Sequence, residues 1–150
     1  MVDRRGFLLL AGVTVSMPTL ALQQVSTDEF ELRYEAAGPE EGHAILLLAA
    51  DVGAFAEMTA PLAAQGFRVI VPSLRSADEA VLGQDVLELM NALHIPEALL
   101  AGVELGARVA ARTASLKPSR CVGMVTLNTS AQAGFAEAVA LMANTAHWRT

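Results

Sequence analysis

The sequence has almost no cysteine and almost no lysine, and each shortage excludes a class of function. Its one cysteine, Cys121, cannot form an intrachain disulfide and lies in the apolar run 121–125, which favours a buried small side chain over a reactive thiol. Its one lysine stands beside nine scattered arginines, and the formal net charge is −6. Because no basic stripe is present to neutralise phosphates, we expect no nucleic-acid partner.

Clusters of metal ligands are also missing. The three histidines, His43, His94 and His147, are far apart in the sequence and have no cysteine beside them. This spacing is not typical of a metal site. We therefore expect no metal and no bound cofactor.

Apolar residues, by contrast, are plentiful enough for one core. Of the 150 residues 53% are hydrophobic and 17% are charged, which indicates a single globular domain.

The first 22 residues are typical of a targeting segment. Arg4 and Arg5 precede the apolar stretch 7–22, an arrangement that resembles a twin-arginine export signal. The stretch has 16 residues and is interrupted by Gly12 and Pro18, so it is short for a membrane-spanning helix.

Three interpretations of this segment remain open. The first is a signal cleaved after Ala21, which would place the mature chain in the periplasm. The second is an uncleaved tether, with membrane contact only through residues 7–22. The third is an ordinary N-terminal helix packed on the domain.

Beyond Asp28, strands and helices are predicted to alternate in a core domain spanning 28–150. Strands are predicted from Asp28 and at 44–48, 67–71, 98–102 and 120–127, and helices at about 54–64, 77–93, 105–116 and 133–144. This order predicts an α/β fold, with a mostly parallel sheet and helices on both faces. Ligands of such sheets bind at the carboxyl ends of the strands.

One strand-to-helix turn carries the pattern of a nucleophile elbow. Gly102-Val103-Glu104-Leu105-Gly106 joins a buried strand to a helix of small residues, with a glycine on each side of the central residue. A Gly-x-Ser-x-Gly elbow needs both glycines because its turn is strained and its helix packs closely on the strand. Here the central residue is glutamate.

Several short stretches in order resemble one known family. They are Leu-Arg-Tyr-Glu-Ala-Ala-Gly-Pro (32–39), Ile-Leu-Leu-Leu (45–48), Gly-Phe-Arg-Val-Ile-Val-Pro-Ser-Leu-Arg (66–75), Leu-His-Ile-Pro (93–96), the elbow, and Val-Thr-Leu-Asn-Thr (125–129). Together they resemble the N-terminal half of an α/β-hydrolase, in the branch of epoxide hydrolases, haloalkane dehalogenases and esterases. The resemblance spans about 28–130 and implies a truncated α/β-hydrolase-like core.

The sequence departs from that family at the positions that do chemistry. Ala49-Ala50 replaces His-Gly, Pro72-Ser73-Leu74-Arg75-Ser76 replaces Pro-Asp-x-Arg-Gly, and Glu104 replaces the nucleophile. The lid, the acidic triad member and the catalytic histidine would follow in the second half, and His147 falls where the lid would begin. No recognisable triad is therefore expected.

Candidate site residues are those that follow the predicted strands. The expected ligand-binding positions are Ala49, Ala50, Asp51, Ser73, Glu104, Leu105 and Asn128. Helix electrostatics alone can account for a carboxylate at position 104. The catalytic alternative makes Glu104, with Asp51, a nucleophile or general base, but a partner base and oxyanion donors cannot be named from the sequence.

The predicted strand 120–127 has no following strand to pair with. Such an apolar edge associates with a second copy or a partner chain unless the last helix covers it. Our first functional hypothesis is a non-catalytic hydrolase-like accessory or small-molecule-binding protein, exported or tethered. The alternatives are a hydrolase of esters, epoxides or halides that uses Glu104 with its missing half supplied by another chain, and a structural subunit of a membrane complex.

Overall fold

The computed structural model describes residues 7–10, 13–16, 21–26, 31–74, 78–128 and 134–149. Strands β1 (Phe7–Leu10) and β2 (Val13–Ser16) form an antiparallel pair. In these ranges no helix combines the length and hydropathy needed to cross a membrane. Arg4 and Arg5 of the predicted export signal lie outside the described residues, as do residues 17–20 before the predicted cleavage position.

The main sheet has six strands, four of which run parallel. The strands are β3 (Ala21–Ser26), β4 (Glu31–Ala37), β5 (Ala44–Leu48), β6 (Arg68–Pro72), β7 (Ala98–Val103) and β8 (Cys121–Leu127). Their spatial order is β3-β4-β6-β5-β7-β8, with antiparallel pairing of β3 to β4 and of β4 to β6. Strands β6, β5, β7 and β8 pair in parallel. The predicted α/β class with a mostly parallel sheet is confirmed.

The sheet begins before the predicted start of the domain. Ala21 and Leu22, the last residues of the predicted signal or anchor, are the first two residues of β3 and pair with Ala36 and Glu35. The third interpretation of this segment, an N-terminal helix, does not match the described residues, which are strands at 7–10 and 13–16.

Four helices pack on the two faces of the sheet. They are α1 (Ala56–Ala64), α2 (Glu79–Ala92), α3 (Leu105–Leu116) and α4 (Phe135–Thr145). Side chains of α1 and α4 share one core with one face of the strands, and side chains of α2 and α3 share a second core with the other face. Since successive strand residues point to opposite faces, the continuous apolar run of β5 contributes to both cores.

Polar side chains and a glycine set the ends of these helices. Asp51 accepts a hydrogen bond from the nitrogen of Gly53 (3.0 Å) and starts a short 3-10 helix over 52–55, so α1 begins at Ala56, slightly later than predicted. Asp78 caps α2 by accepting from the nitrogen of Val81 (2.9 Å). Gly66 follows α1 with a φ of 95°, in the left-handed conformation that commonly ends a helix.

Helix α4 buries a row of residues spaced four apart. Phe135, Val139 and Ala143 form this row, while Met142 lies at its border and is 36% exposed. Helix α4 covers one face of β8. In the described chain, no strand pairs with the outer edge of β8.

Candidate functional site

Glu104 occupies a strained turn between β7 and α3. Its φ is 55° and its ψ is −113°. A positive φ is uncommon for a residue with a Cβ atom and costs about 1–3 kcal/mol, so it persists only where the surrounding structure imposes it. His94 is the other non-glycine residue with positive φ in the described ranges.

The two glycines of the motif allow α3 to sit directly against the sheet. A Cβ atom on Gly102 would lie 2.7 Å from the nitrogen of Ala107 and closer still to the carbonyl of Gly106. A Cβ atom on Gly106 would lie 2.8 Å from the nitrogen of Ala49 and would overlap the carbonyl of Leu48. The start of α3 therefore packs on both β7 and the carboxyl end of β5, as an elbow requires.

Backbone hydrogen bonds fix the turn, and the Glu104 side chain does not take part. The nitrogen of Glu104 donates to the carbonyl oxygen of Leu127 (2.8 Å), and its own carbonyl accepts from the nitrogens of Ala107 (3.0 Å) and Arg108 (3.3 Å). The carboxylate is exposed and makes no capping hydrogen bond to α3. Hydrogen-bonded capping thus does not explain a glutamate at this position.

The other predicted ligand positions lie at the same carboxyl edge but are not all free to bind. Asp51 is exposed, and its carboxylate is engaged with the nitrogen of Gly53. Ser73 is half-buried, and its nitrogen donates to the carbonyl of Arg33 (2.9 Å). Ala50 and Asn128 are exposed, whereas Ala49 is buried beside Gly106.

Leu105 follows Glu104 and points away from the solvent. Its half-buried side chain packs against the core shared by α2 and α3. Its contribution to a ligand site is therefore limited to the backbone of the first helical turn.

The histidines lie toward the opposite edge of the sheet. His43 immediately precedes β5, and His94 lies between α2 and the start of β7. His147 adjoins Trp148, whose ring stacks on His43 with centroids 4.4 Å apart. Strand β7 has six residues, or about 20 Å of extended chain. Glu104 and His43 thus lie at opposite ends of the strands, too far apart for a nucleophile and its base.

A cleft that the sequence did not predict lies at this opposite edge of the sheet, the amino edge, where the parallel strands begin. It encloses about 260 Å³, and its walls include His43, Arg68, His94, Glu97 and Trp148. The sequence signal was faint: a histidine, an arginine and a glutamate each fall just before or at the start of a predicted strand, where parallel strands bring them to one edge.

Cys121 at the start of β8 behaves as an unreactive thiol. Burial raises the pKa of the Cys121 thiol, while its hydrogen bond to the carbonyl of Gly123 (3.1 Å) lowers it by less. Because the thiolate is the nucleophile, a raised pKa keeps the group protonated at neutral pH. The side chain is half-buried rather than buried as predicted, and it packs against the core shared by α2 and α3.

Solved structures with similar folds include epoxide hydrolases, a thioesterase domain and an enol-lactonase of the α/β-hydrolase superfamily. A candidate epoxide hydrolase from Klebsiella pneumoniae is 32% identical, with a TM-score of 0.65 over 70% of this chain and 40% of its own. Epoxide hydrolase A from Mycobacterium thermoresistibile is 22% identical, with a TM-score of 0.66 over 72% of this chain and 39% of its own. The enol-lactonase from Burkholderia xenovorans is 23% identical, with a TM-score of 0.63 over 68% of this chain and 45% of its own.

This chain spans between 39% and 45% of the length of each of those proteins. No family model matches it, and no curated protein matches it. The mostly parallel sheet with its helices agrees with the neighbours' fold. The chain is therefore an α/β-hydrolase-like protein that spans part of that superfamily's fold.

Proposed function

We propose that this chain is a non-catalytic α/β-hydrolase-like protein that binds a small molecule at the carboxyl edge of its sheet. The observation that carries the proposal is the pairing of an intact elbow backbone with a glutamate at position 104. The turn presents an exposed carboxylate at the edge where ligands of parallel sheets bind. Backbone strain of this kind is characteristic of functional sites.

Absence of catalysis is inferred from the surroundings of Glu104. Nucleophilic hydrolysis needs a base to activate water and donors for the developing oxyanion. All three histidines of the chain lie toward the other edge, and Ala49-Ala50 stands in the loop beside the elbow. An exposed carboxylate without a partner base or oxyanion donors is better suited to holding a cationic or hydrogen-bond-donating ligand than to hydrolysing an ester.

The observation that favours the catalytic alternative is the strained backbone and exposed carboxylate of Glu104. Activity assays with a panel of p-nitrophenyl esters and epoxides test this alternative. We expect the wild-type chain and Glu104→Gln to give the same rate, equal to the uncatalysed reaction. Glu57→Gln, an exposed carboxylate on α1, is the matched control. Turnover that is lost in Glu104→Gln and kept in Glu57→Gln would overturn the non-catalytic proposal.

Export or tethering is a separate part of the proposal and rests on Arg4, Arg5 and the apolar stretch 7–22. Mass spectrometry of the chain recovered from an export-competent bacterium is expected to give an N-terminus at Leu22. Cleavage there would remove the first residue of β3 and leave the pairing of Leu22 to Ser26 with β4. Replacing both arginines with lysine is expected to abolish cleavage. An uncleaved chain in the membrane fraction would favour the tether. An uncleaved chain in the soluble cytoplasm would contradict both export and tethering.

Association through β8 completes the proposal. The strand sequence Cys-Val-Gly-Met-Val-Thr-Leu carries no charge and no proline, the usual protections of an edge strand. On a chain with a net charge of −6, an uncharged edge is suited to a second copy of itself, because contact there brings no like charges together. We therefore propose a two-fold dimer through β8, and its test is described in the Discussion.

A further inference from the structure

The cleft at the amino edge of the sheet has charged walls of both signs. It opens where β5, β6 and β7 begin, on the edge opposite Glu104, and encloses about 260 Å³. Pockets for drug-sized ligands have about 300–1,000 Å³, so this cleft suits a smaller solute.

Glu97 supplies a buried carboxylate to the wall of the cleft. The residue is 5% exposed, and its Oε2 accepts a hydrogen bond from the nitrogen of Arg149 (2.7 Å). Oε1 has no hydrogen-bond partner among the described residues. In that part of the chain, every fully buried side-chain oxygen has a partner, so an oxygen without one is not fully buried. Oε1 is therefore accessible, and Glu97 lines the cleft. A carboxylate oxygen in this position accepts a strong hydrogen bond from an ammonium group.

Arg68 supplies the opposite charge. Its Nη1 donates to the carbonyl of Leu93 (3.3 Å) and weakly to that of Glu40 (3.5 Å). No hydrogen bond joins its Nε or Nη2 to any residue in the described ranges. A guanidinium with free N–H groups binds a carboxylate, and its planar fork favours two parallel hydrogen bonds.

A stacked aromatic pair forms a further wall. The rings of His43 and Trp148 lie 4.4 Å apart and within 9° of parallel. Trp148 is held in turn by the hydrogen bond from its Nε1 to the carbonyl of Ala143 (3.0 Å). The tail that carries Trp148 also carries Arg149, so the aromatic wall and the Glu97 contact are fixed by the same segment.

We propose that this cleft binds a small zwitterion, a molecule that carries an ammonium group and a carboxylate a few bonds apart, such as a free α-amino acid. A simple cation would pair with Glu97 and the rim carboxylates Glu40 and Glu41 but leave the charge of Arg68 unmatched, and a simple anion would pair with Arg68 but lie against those three carboxylates. A zwitterion satisfies both walls. The site is independent of the proposed carboxyl-edge site, since the two lie at opposite ends of the strands.

Trp148 is the single tryptophan of the chain, so its fluorescence reports on the cleft directly. Titration of the full chain with L-alanine is expected to change this fluorescence in a saturable way. Ethylamine and propionate, which each carry one of the two charges, are expected to need at least about tenfold higher concentrations, because each forgoes one charge-assisted interaction.

Two variants and a control assign the effect to the cleft. Glu97→Gln and Arg68→Gln are each expected to raise the L-alanine midpoint by about tenfold or more. Glu57→Gln, exposed on α1 and outside the cleft, is expected to leave it unchanged. Circular dichroism establishes that each variant is folded, and ligand-observed NMR of alanine gives a second measurement of binding.

Three results would overturn the proposal. The first is that L-alanine gives neither a saturable fluorescence response nor an NMR binding signal. The second is that ethylamine or propionate gives a response at the same concentration as L-alanine. The third is that the L-alanine midpoint is unchanged in both folded variants. None of them bears on Glu104, so failure here is distinguishable from failure of the carboxyl-edge proposal.

Discussion

Replacing Gly106 with alanine is expected to lower the free energy of unfolding by about 3 kcal/mol or more, a large part of the 5–15 kcal/mol typical of a domain. The added methyl group would overlap the carbonyl of Leu48 and lie 2.8 Å from the nitrogen of Ala49. Both neighbours are backbone atoms at the end of a strand, so neither can move aside without disturbing the sheet.

The elbow offers few ways to relieve this clash. Leu48 pairs with Gly102 on β7, and α3 cannot shift outward without losing the core contacts of Val109 and Ala110. Thermodynamic stability is measured by urea denaturation followed by circular dichroism, with Gly53→Ala as the matched glycine control. Gly53 is exposed, and the nearest atom to a Cβ there is a side-chain oxygen of Asp51 at 3.3 Å, so we expect a loss below about 1 kcal/mol.

Equal stabilities of the Gly106→Ala and Gly53→Ala variants would contradict the close packing of α3 on β5. Failure of Gly106→Ala to accumulate as a folded protein, with Gly53→Ala folding normally, would support it.

Substitution of Met124 by lysine is expected to convert a dimer into a monomer. Met124 is the central residue of β8 and is 40% exposed. A two-fold axis makes two copies of β8 antiparallel, which places their central residues near each other. Like charges directly opposite each other destabilise such a pair, and lysine is a common protection of natural edge strands.

Size-exclusion chromatography with light scattering measures this change. The wild-type chain is expected to elute at twice the monomer mass at high concentration, and Met124→Lys at the monomer mass. Val81→Lys is the matched control, since Val81 is 37% exposed and lies on α2, outside the edge strand. A wild-type chain that is monomeric at high concentration would contradict the dimer, and so would equal dissociation by both lysine variants.

Much of the fold could be predicted because local patterns and long-range packing agree. The apolar run 44–48 forms β5 with the predicted limits, since the polar turn before it and the loop after it leave no alternative. Helix α3 also has its predicted limits, because Gly102 precedes it and Lys117-Pro118 ends it. The start of the sheet at β3 could not be predicted in this way. Residues 21–26 continue a stretch with the composition of a targeting segment, and their pairing with β4 is a non-local contact that no periodicity reveals.

The two candidate sites differ in the same way. The elbow was predictable because its two glycines and its strand and helix lie within a few residues of one another. The strained φ of Glu104 follows from the packing of α3 on β5. The glycines of the motif imply this packing, but the sequence does not show the backbone angle directly. The amino-edge cleft combines Arg68, Glu97 and Trp148, which are separated by dozens of residues and form no sequence pattern. The parallel register of β5, β6 and β7 brings Arg68 and Glu97 to one edge, and the segment after α4 brings Trp148 to the same edge.

The backbone at Glu104 has an evolutionary consequence. The turn is held by Gly102, by Gly106 and by the hydrogen bond to Leu127, and none of these contacts involves the side chain at position 104. Serine, cysteine and aspartate, like glutamate, carry an unbranched Cβ atom and could occupy this turn without rebuilding the loop. Position 104 therefore tolerates exchange of its side chain. A lineage that carries this scaffold can exchange glutamate for a nucleophile by substitution at one residue, while the harder step, acquiring a base within reach, depends on the rest of the fold.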